Sequence, residues 1–316
     1  MSNDHGEVEL QQLRYVVEVA ETASFTRAAE RCFVTQSALS HQIAALEREI
    51  GQRLFARTSR RVRLTEAGEA FLTHARVAVR AAELAKEEAA ATVGEVTGTL
   101  RLGVIPTVTA VAVPALLQSF RRAHPSTRVE LRGGNSDELM AALRGDELDV
   151  ALLGLRDGVE PGGVSSRVLL HQRLVAVLPR DHELAGRRRL RLRDLADRTF
   201  ADFPAGTSGR AQSDAAFAAA GVDRDVAFEA DSAALLLELV AAGLAVTLLA
   251  PGVVRGWRGD GLVTIAVADG PARTEYVAWD PVAPRSVARA FLAVLDAGSR
   301  ADDEAGPEET SGPARR

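Results

Sequence analysis

SFTRAAERCFVTQSALSHQIAALE, Ser24–Glu47, is the stretch on which the fold turns. Ser24 offers a helix N-cap in front of FTRAAER, and a short break at Cys32–Val34 leads to a second N-cap candidate, Thr35. The helix that follows, QSALSHQIAALEREI, carries Leu39, Ile43, Leu46 and Ile50 at spacings of 4, 3 and 4, one apolar face, and Gly51 stands where a helix-ending glycine belongs. Ala28 and Ala29 let the first helix come close to the second. The second helix presents Gln36, Ser37, Ser40 and His41 on its other face, near its N-terminal end. In a helix-turn-helix that end enters the DNA major groove. Glutamine can pair bidentately with adenine, serine and histidine can bond base edges or phosphates, and a helix N-terminus favours a phosphate.

Outward from this core the pattern stays helical from residue 10 to 92. Upstream, Leu10, Leu13, Val16, Val17 and Ala20 recur at helical spacing. Downstream, RLFARTSRRVRL reads as strand, turn and strand, a wing whose basic tip suits DNA backbone or minor groove. Phe25–Thr65 holds eight arginines against three glutamates, a local charge of +5 in a chain whose net charge is −5. A DNA-binding site in such a chain must be local. A further helix from Leu64-Thr65-Glu66 to about Thr92 would be roughly 40 Å long at the α-helical rise. Ala67, Phe71, Ala75, Val79 and Ala82 line one of its faces. The plain reading is packing onto the head; the sharper one, preferred here, is pairing with a second copy.

The 316 residues are 47% hydrophobic and 26% charged, ordinary globular usage, and allow two or three domains. A single cysteine, Cys32, rules out a disulfide within the chain and fits a reducing compartment; it reads as a small buried hydrophobe. The N-terminus lacks the apolar core of a signal peptide, and Leu235–Pro251, the most apolar stretch, is too short for a membrane span, so a cytoplasmic protein without a membrane partner is expected. There is no GxSxG, GxxxxGK[ST], HExxH or GxGxxG, and the six histidines are scattered. Neither an enzyme nor a metal or other cofactor is expected.

After VGEVTG (Val93–Gly98) strands alternate with helices: LRLGVIP, RVELRGG and DVALLGL, then RLVAVLP, TFADF, VAFEA and VTLLAP, with helices over 211–220 and 233–242 among the latter. The repeated βαβ pattern predicts a mainly parallel, covered sheet and a second α/β lobe, with YVAWD and a helix over 286–295 returning to the first. Polar residues sit where strands end and helices begin: Thr107 and Thr109, Asn135 and Ser136, Thr207 and Ser208, Asp231 and Ser232. In open α/β sheets such ends bind ligands. Taken singly, each is more simply a helix cap. Taken together, they could line one cleft between two lobes. The basic run RRRLRLR (187–193) reads as a solvated loop and strand edge.

LRYVVEVAETASFTRAAERCFVTQSALSHQIAALEREIGQRLFARTSRRVRLTEAGEAFL resembles the head of LysR-type transcriptional regulators, and GTLRLGVIP, LDVALLGL and VAAGLAVTLLAP extend the resemblance more loosely along the chain. The resemblance implies an N-terminal winged helix-turn-helix, mainly α, and an α/β effector domain of two Rossmann-like lobes built like a periplasmic binding protein. It implies a head over 8–66, a dimerisation helix over 67–92, a hinge over 93–98 and an effector domain over 99–297; the polar, acidic stretch over 298–316, with no apolar period, reads as a disordered tail. Lobe 1 would span about 99–168 and 270–297, and lobe 2 about 169–269. DNA contacts would come from the helix-turn-helix Phe25 to Ala44, with Ser24, Thr26, Arg27, Thr35, Gln36, Ser37, Ser40 and His41, and from the wing with Arg57, Arg60 and Arg61. Many members carry arginine at the position of His41. Thr107 and Ser136 would touch the effector, with Asn135, Phe203, Thr207 and Ser232 beside them.

The implied partners are a partly palindromic double-stranded operator, a small-molecule inducer, RNA polymerase, and further copies of the chain in a homodimer or homotetramer. Two other classes stay open at this point. The α/β part could be an enzyme fused to a DNA-binding head, or the chain could be a DNA-binding or architectural factor that needs no ligand.

Overall fold

The structure, a computed structural model, describes residues 8–58, 61–92, 95–280 and 284–304. The chain divides into two compact units, Met1–Val93 and Gly94–Arg316.

The first unit orders α1 (Leu10–Thr22), α2 (Phe25–Arg31), α3 (Gln36–Ile50), β1 (Phe55–Thr58), β2 (Arg61–Leu64) and α4 (Glu66–Ala91). Side chains cap α2, α3 and α4: the Ser24 hydroxyl accepts from Arg27 N at 3.3 Å, Thr35 from Ala38 N at 3.2 Å and Thr65 from Gly68 N at 3.0 Å. Gly51, at φ +72°, ends α3 in the left-handed region that costs glycine nothing. Val16, Val19, Ala28, Leu39, Ile43 and Leu46 are sealed from solvent in one core, and Phe25 meets Phe55 edge-on at 5.7 Å. The Glu47 carboxylate accepts from Leu54 N and Phe55 N, fastening α3 to the wing. Gly68 passes so close to the wing that a Cβ there would lie 2.1 Å from Leu54 O. Along α4, Leu72 and Ala75 are buried in the head, while Val77 is exposed. The expected stripe is therefore covered in part by its own head.

The second unit runs β3 (Gly98–Val104), α5 (Val113–Ala123), β4 (Thr127–Gly133), α6 (Ser136–Arg144), β5 (Val150–Arg156), β6 (Ser165–Arg173), β7 (Val175–Pro179), β8 (Arg189–Leu190), β9 (Thr199–Asp202), α7 (Ser208–Ala219), β10 (Asp225–Glu229), α8 (Ala233–Ala241), β11 (Thr247–Leu249), α9 (Pro251–Arg255), β12 (Leu262–Val267), β13 (Ala272–Trp279) and α10 (Ser286–Glu304). Its larger sheet has the order β4-β3-β5-β13-β6. β3 pairs parallel with β4 and β5, whereas β13 runs antiparallel to β5 and β6. The end of the chain thus returns to the first lobe, as the pattern predicts. The other lobe holds the sheet β11-β7-β12-β8, in which β7 is antiparallel to both neighbours, and the parallel pair β9-β10.

Three expectations need correction. The sheets are mixed rather than mainly parallel, because β13 and β7 each run antiparallel to both of their neighbours. β6 belongs to the first sheet as far as Arg173, so residues 169–173 lie in lobe 1 and not in lobe 2. Its side chains alternate between exposed and half-buried, too polar a pattern to stand out before the apolar VAVLP. Finally, α10 continues to Glu304, so residues 298–304 of the expected tail are helical. A helix nucleated by packed residues (Val287, Ala288, Phe291 and Leu295 are buried) propagates into polar sequence at little cost. Residues 305–316 lie outside the described residues.

Candidate functional site

The face expected to meet DNA is built by α2 and α3. Thr26, Arg27, Thr35, Gln36, Ser37 and His41 are exposed, and Ser40 is half-buried. Thr35 and Ser37 hydroxyls lie 3.1 Å apart, and the Arg27 guanidinium donates to Thr22 O. Leu39, Ile43 and Leu46 clamp the opposite face of α3 into the core, which fixes the helix while leaving its N-terminal polar residues outward. Arg57 and Arg61 sit on β1 and β2, paired opposite Val62 and Thr58. Their side chains and all of Arg60 lie outside the described residues.

The second site is a cavity of about 660 Å³ between the two lobes. One wall comes from Thr107, Asn135, Ser136, Glu138, Gly154 and Arg273, the other from Phe203, Thr207, Gln212, Asp231 and Ser232. All six residues expected at the effector site, Thr107, Asn135, Ser136, Phe203, Thr207 and Ser232, are brought together there. Three of them also cap helices: Asn135 Oδ1 accepts from Glu138 N, Thr207 Oγ1 from Arg210 N, and Ser232 Oγ from Leu235 N. The N-termini of α6, α7 and α8 consequently meet at one cavity, and each carries the positive end of a helix dipole. The Ser136 hydroxyl is occupied as well. It donates to Gly154 O and accepts from Gly154 N, both at 3.0 Å, tying α6 to β5.

Arg273 in this wall is paired with a carboxylate buried behind it, a pair that sequence reasoning missed. Arg273 and Glu275, two apart on β13, are both buried and lie 2.6 Å apart. Arg273 donates to Thr107 Oγ1 at 2.8 Å and to Thr107 O at 2.7 Å. The Glu275 carboxylate also accepts from Thr109 N, Thr109 Oγ1, Ala110 N and Gln172 Nε2, each at 2.7–2.8 Å. Burial pulls the Arg273 guanidinium below its usual pKa, against the pull of Glu275. A Cβ on Gly154 would come 3.3 Å from the Arg273 guanidinium, so the glycine leaves room for it. The available signal was the RTE pattern inside an otherwise apolar strand, where i and i+2 share a face. Behind Phe203, burial pushes the Asp202 carboxyl above its ordinary value even though Arg224 donates to it at 2.6 Å. Among the described residues no group of three or more His, Cys, Asp and Glu side chains could hold a metal, and no helix is long and apolar enough to cross a membrane.

The chain is similar to known proteins over most of its length. Residues 10–69 match the family model for the bacterial regulatory helix-turn-helix protein, lysR family, and residues 94–300 match the LysR substrate binding domain. The chain is 35% identical over 248 residues to the HTH-type transcriptional regulator ShiR of Corynebacterium glutamicum, covering 78% of this chain and 83% of that one. It is 32% identical over 277 residues to the DNA-binding transcriptional dual regulator OxyR of Escherichia coli, covering 87% and 90%. Among solved structures, a single-substitution variant of full-length OxyR from Pseudomonas aeruginosa superposes with a TM-score of 0.72 at 27% identity, over 92% of this chain and 95% of that one. CbnR in complex with its target DNA superposes at 0.68 and 23% identity over 92% and 99%, a likeness of fold.

Proposed function

The chain belongs to the LysR family of DNA-binding transcriptional regulators with an effector-binding domain, and on that premise we propose how its two sites divide the work. The head, 8–66, reads a partly palindromic operator. Gln36, Ser37, Ser40 and His41 meet base edges, while Ser24, Thr26, Arg27, Thr35, Arg57, Arg60 and Arg61 contact backbone or minor groove. The helix over 67–92 joins two copies into a homodimer, two of which form a homotetramer. The segment over 93–98 is the hinge, and RNA polymerase is a further partner. The protein acts in the cytoplasm as a regulator and not as a catalyst.

The effector is a small organic anion held in the interlobe cavity by Thr107, Asn135, Ser136, Phe203, Thr207 and Ser232. One observation carries this reading: three helix N-termini and the buried Arg273 border a single 660 Å³ space. Oriented N–H groups and a fixed guanidinium favour negative charge. To act as a switch the anion must bind two quaternary states unequally, changing lobe closure, the angle between dimers and the bend of the operator.

The deciding experiment titrates the purified chain onto its own upstream intergenic region and onto random DNA at one physiological salt concentration, because phosphate contacts alone give strongly salt-dependent affinity. A protected, partly palindromic site bound far more tightly than random DNA is the expected result. Equal weak binding to both, with and without small organic acids, overturns the assignment of the recognition helix.

A further inference from the structure

The cavity is bridged at its rim by one carboxylate. Asp137, in the first turn of α6 in lobe 1, reaches α7 in lobe 2, where its Oδ2 accepts from Ser208 N at 3.0 Å and from Ser208 Oγ at 2.5 Å. The two residues are 71 positions apart in the chain. Their neighbours Ser136, Glu138, Thr207 and Gly209 all line the cavity.

The electrostatics explain why an acid stands there. α6 and α7 point their N-terminal, positive ends toward the same space, an approach that repels. α6 carries Asp137 and Glu138 in its first turn, but α7 has no acidic residue in its own. Thr207 satisfies Arg210 N at the start of α7, which leaves Ser208 N to be met from outside the helix. The carboxylate of Asp137 meets it across the gap. One negative charge thereby serves two helix ends that belong to different lobes.

We propose that Asp137 is a tethered carboxylate latch that holds the two lobes together across the rim of the cavity, so that the cleft rests closed before any effector is bound. The regulatory meaning of the latch rests on the cavity being the effector site. An anionic effector offering its own charge to the N-terminus of α7 replaces Asp137 there, and exchange of the effector requires the latch to open.

Interlobe distance tests this directly on the full chain. Spin labels are placed at Arg121→Cys on α5 and Glu238→Cys on α8, both exposed positions, in a Cys32→Ser background, and the distance distribution is read by pulsed electron spin resonance. Asp137→Asn keeps the size and removes the charge; Asp137→Ala removes both. Each is expected to raise the open population about two- to five-fold, the weight of a carboxylate at an exposed helix N-terminus. Ser208→Ala should do so to a smaller extent, and the double variant Asp137→Ala with Ser208→Ala should add little to Asp137→Ala alone. Rising salt should open the parent and leave Asp137→Asn unmoved. Glu147→Ala removes an exposed acid paired with Arg132 inside lobe 1 and serves as control. A distribution unchanged in Asp137→Ala, or moved equally by Glu147→Ala, overturns the latch. DNA titration is read separately, so loss of operator specificity would strike the head and leave this result standing.

Discussion

The two sites handle their polar groups in opposite ways. On α3, Gln36 and His41 are exposed and their side chains make no hydrogen bond to the described residues, so that side-chain bonding capacity is spare. In the cavity, Ser136 is held by Gly154, Thr107 by Arg273, and Asn135, Thr207 and Ser232 by helix N-termini. A surface that meets a large rigid partner can leave its donors to water until the partner arrives. A concave wall must hold its shape while empty, and an unmet buried polar group costs about 1–3 kcal/mol. Substitution in the head therefore separates binding from folding, whereas substitution in the cavity mixes them.

The largest effect that would sharpen this contrast is at Glu275. Removing its carboxylate strands the buried Arg273, so Glu275→Ala should cost about 3–5 kcal/mol of stability in the second unit, with the double change Arg273→Leu and Glu275→Leu recovering part of it. Urea unfolding with hydrogen exchange of each unit measures this; an undiminished second unit would break the contrast at its strongest point. Ser136→Ala comes next. It leaves Gly154 N and O without their partner and should lower stability by about 1–3 kcal/mol. If it altered only the response to effector, the cavity would resemble the head after all. Gln36→Ala should leave thermal stability unchanged and weaken operator binding by about 1–3 kcal/mol while relaxing specificity at one base step, whereas Arg60→Ala weakens all sequences more evenly. Equal losses for Gln36→Ala on operator and random DNA would contradict base reading.

The smallest effect is in the pH dependence. Asp202 has a folded pKa raised above the ordinary carboxylate value, so the native state binds its proton more tightly than the unfolded chain does. Its contribution is fully present below the ordinary value and is lost as pH rises through the raised one. The melting temperature of Asp202→Asn should therefore lack that acid-side gain relative to the parent. Identical melting profiles across the window just above the carboxylate range would remove Asp202 from the account.

The same contrast governs how much could be read from the sequence. The head announces itself because its determinants are local: caps at Ser24 and Thr35, a stop at Gly51, and an apolar face repeating every three or four residues. In the second unit, strands with apolar runs such as Val150–Arg156 were legible, and so were the helix starts that gather at the cavity. Arg273 and Glu275 were not, since their reason for being charged lies 166 residues away at Thr107 and Thr109. Asp137 was hidden for a like reason. In sequence it is one more acid in the first turn of a helix, and only the fold sets it against α7. β6 escaped because a half-exposed strand beside a buried one has no pattern of its own.

The lobes are joined by two passages of chain, one at Leu174 and one leading to Pro271, and these are bonded to each other: Leu174 N donates to Pro271 O at 2.9 Å, and the Arg173 guanidinium to Gly270 O at 3.0 Å. Two tethers bonded to each other place the pivot of lobe movement at this point. The orientation of one lobe on the other about that pivot is then the quantity through which occupancy of the cavity is passed on. Chemical discrimination belongs to the lining residues, because an orientation carries no record of which groups were bonded.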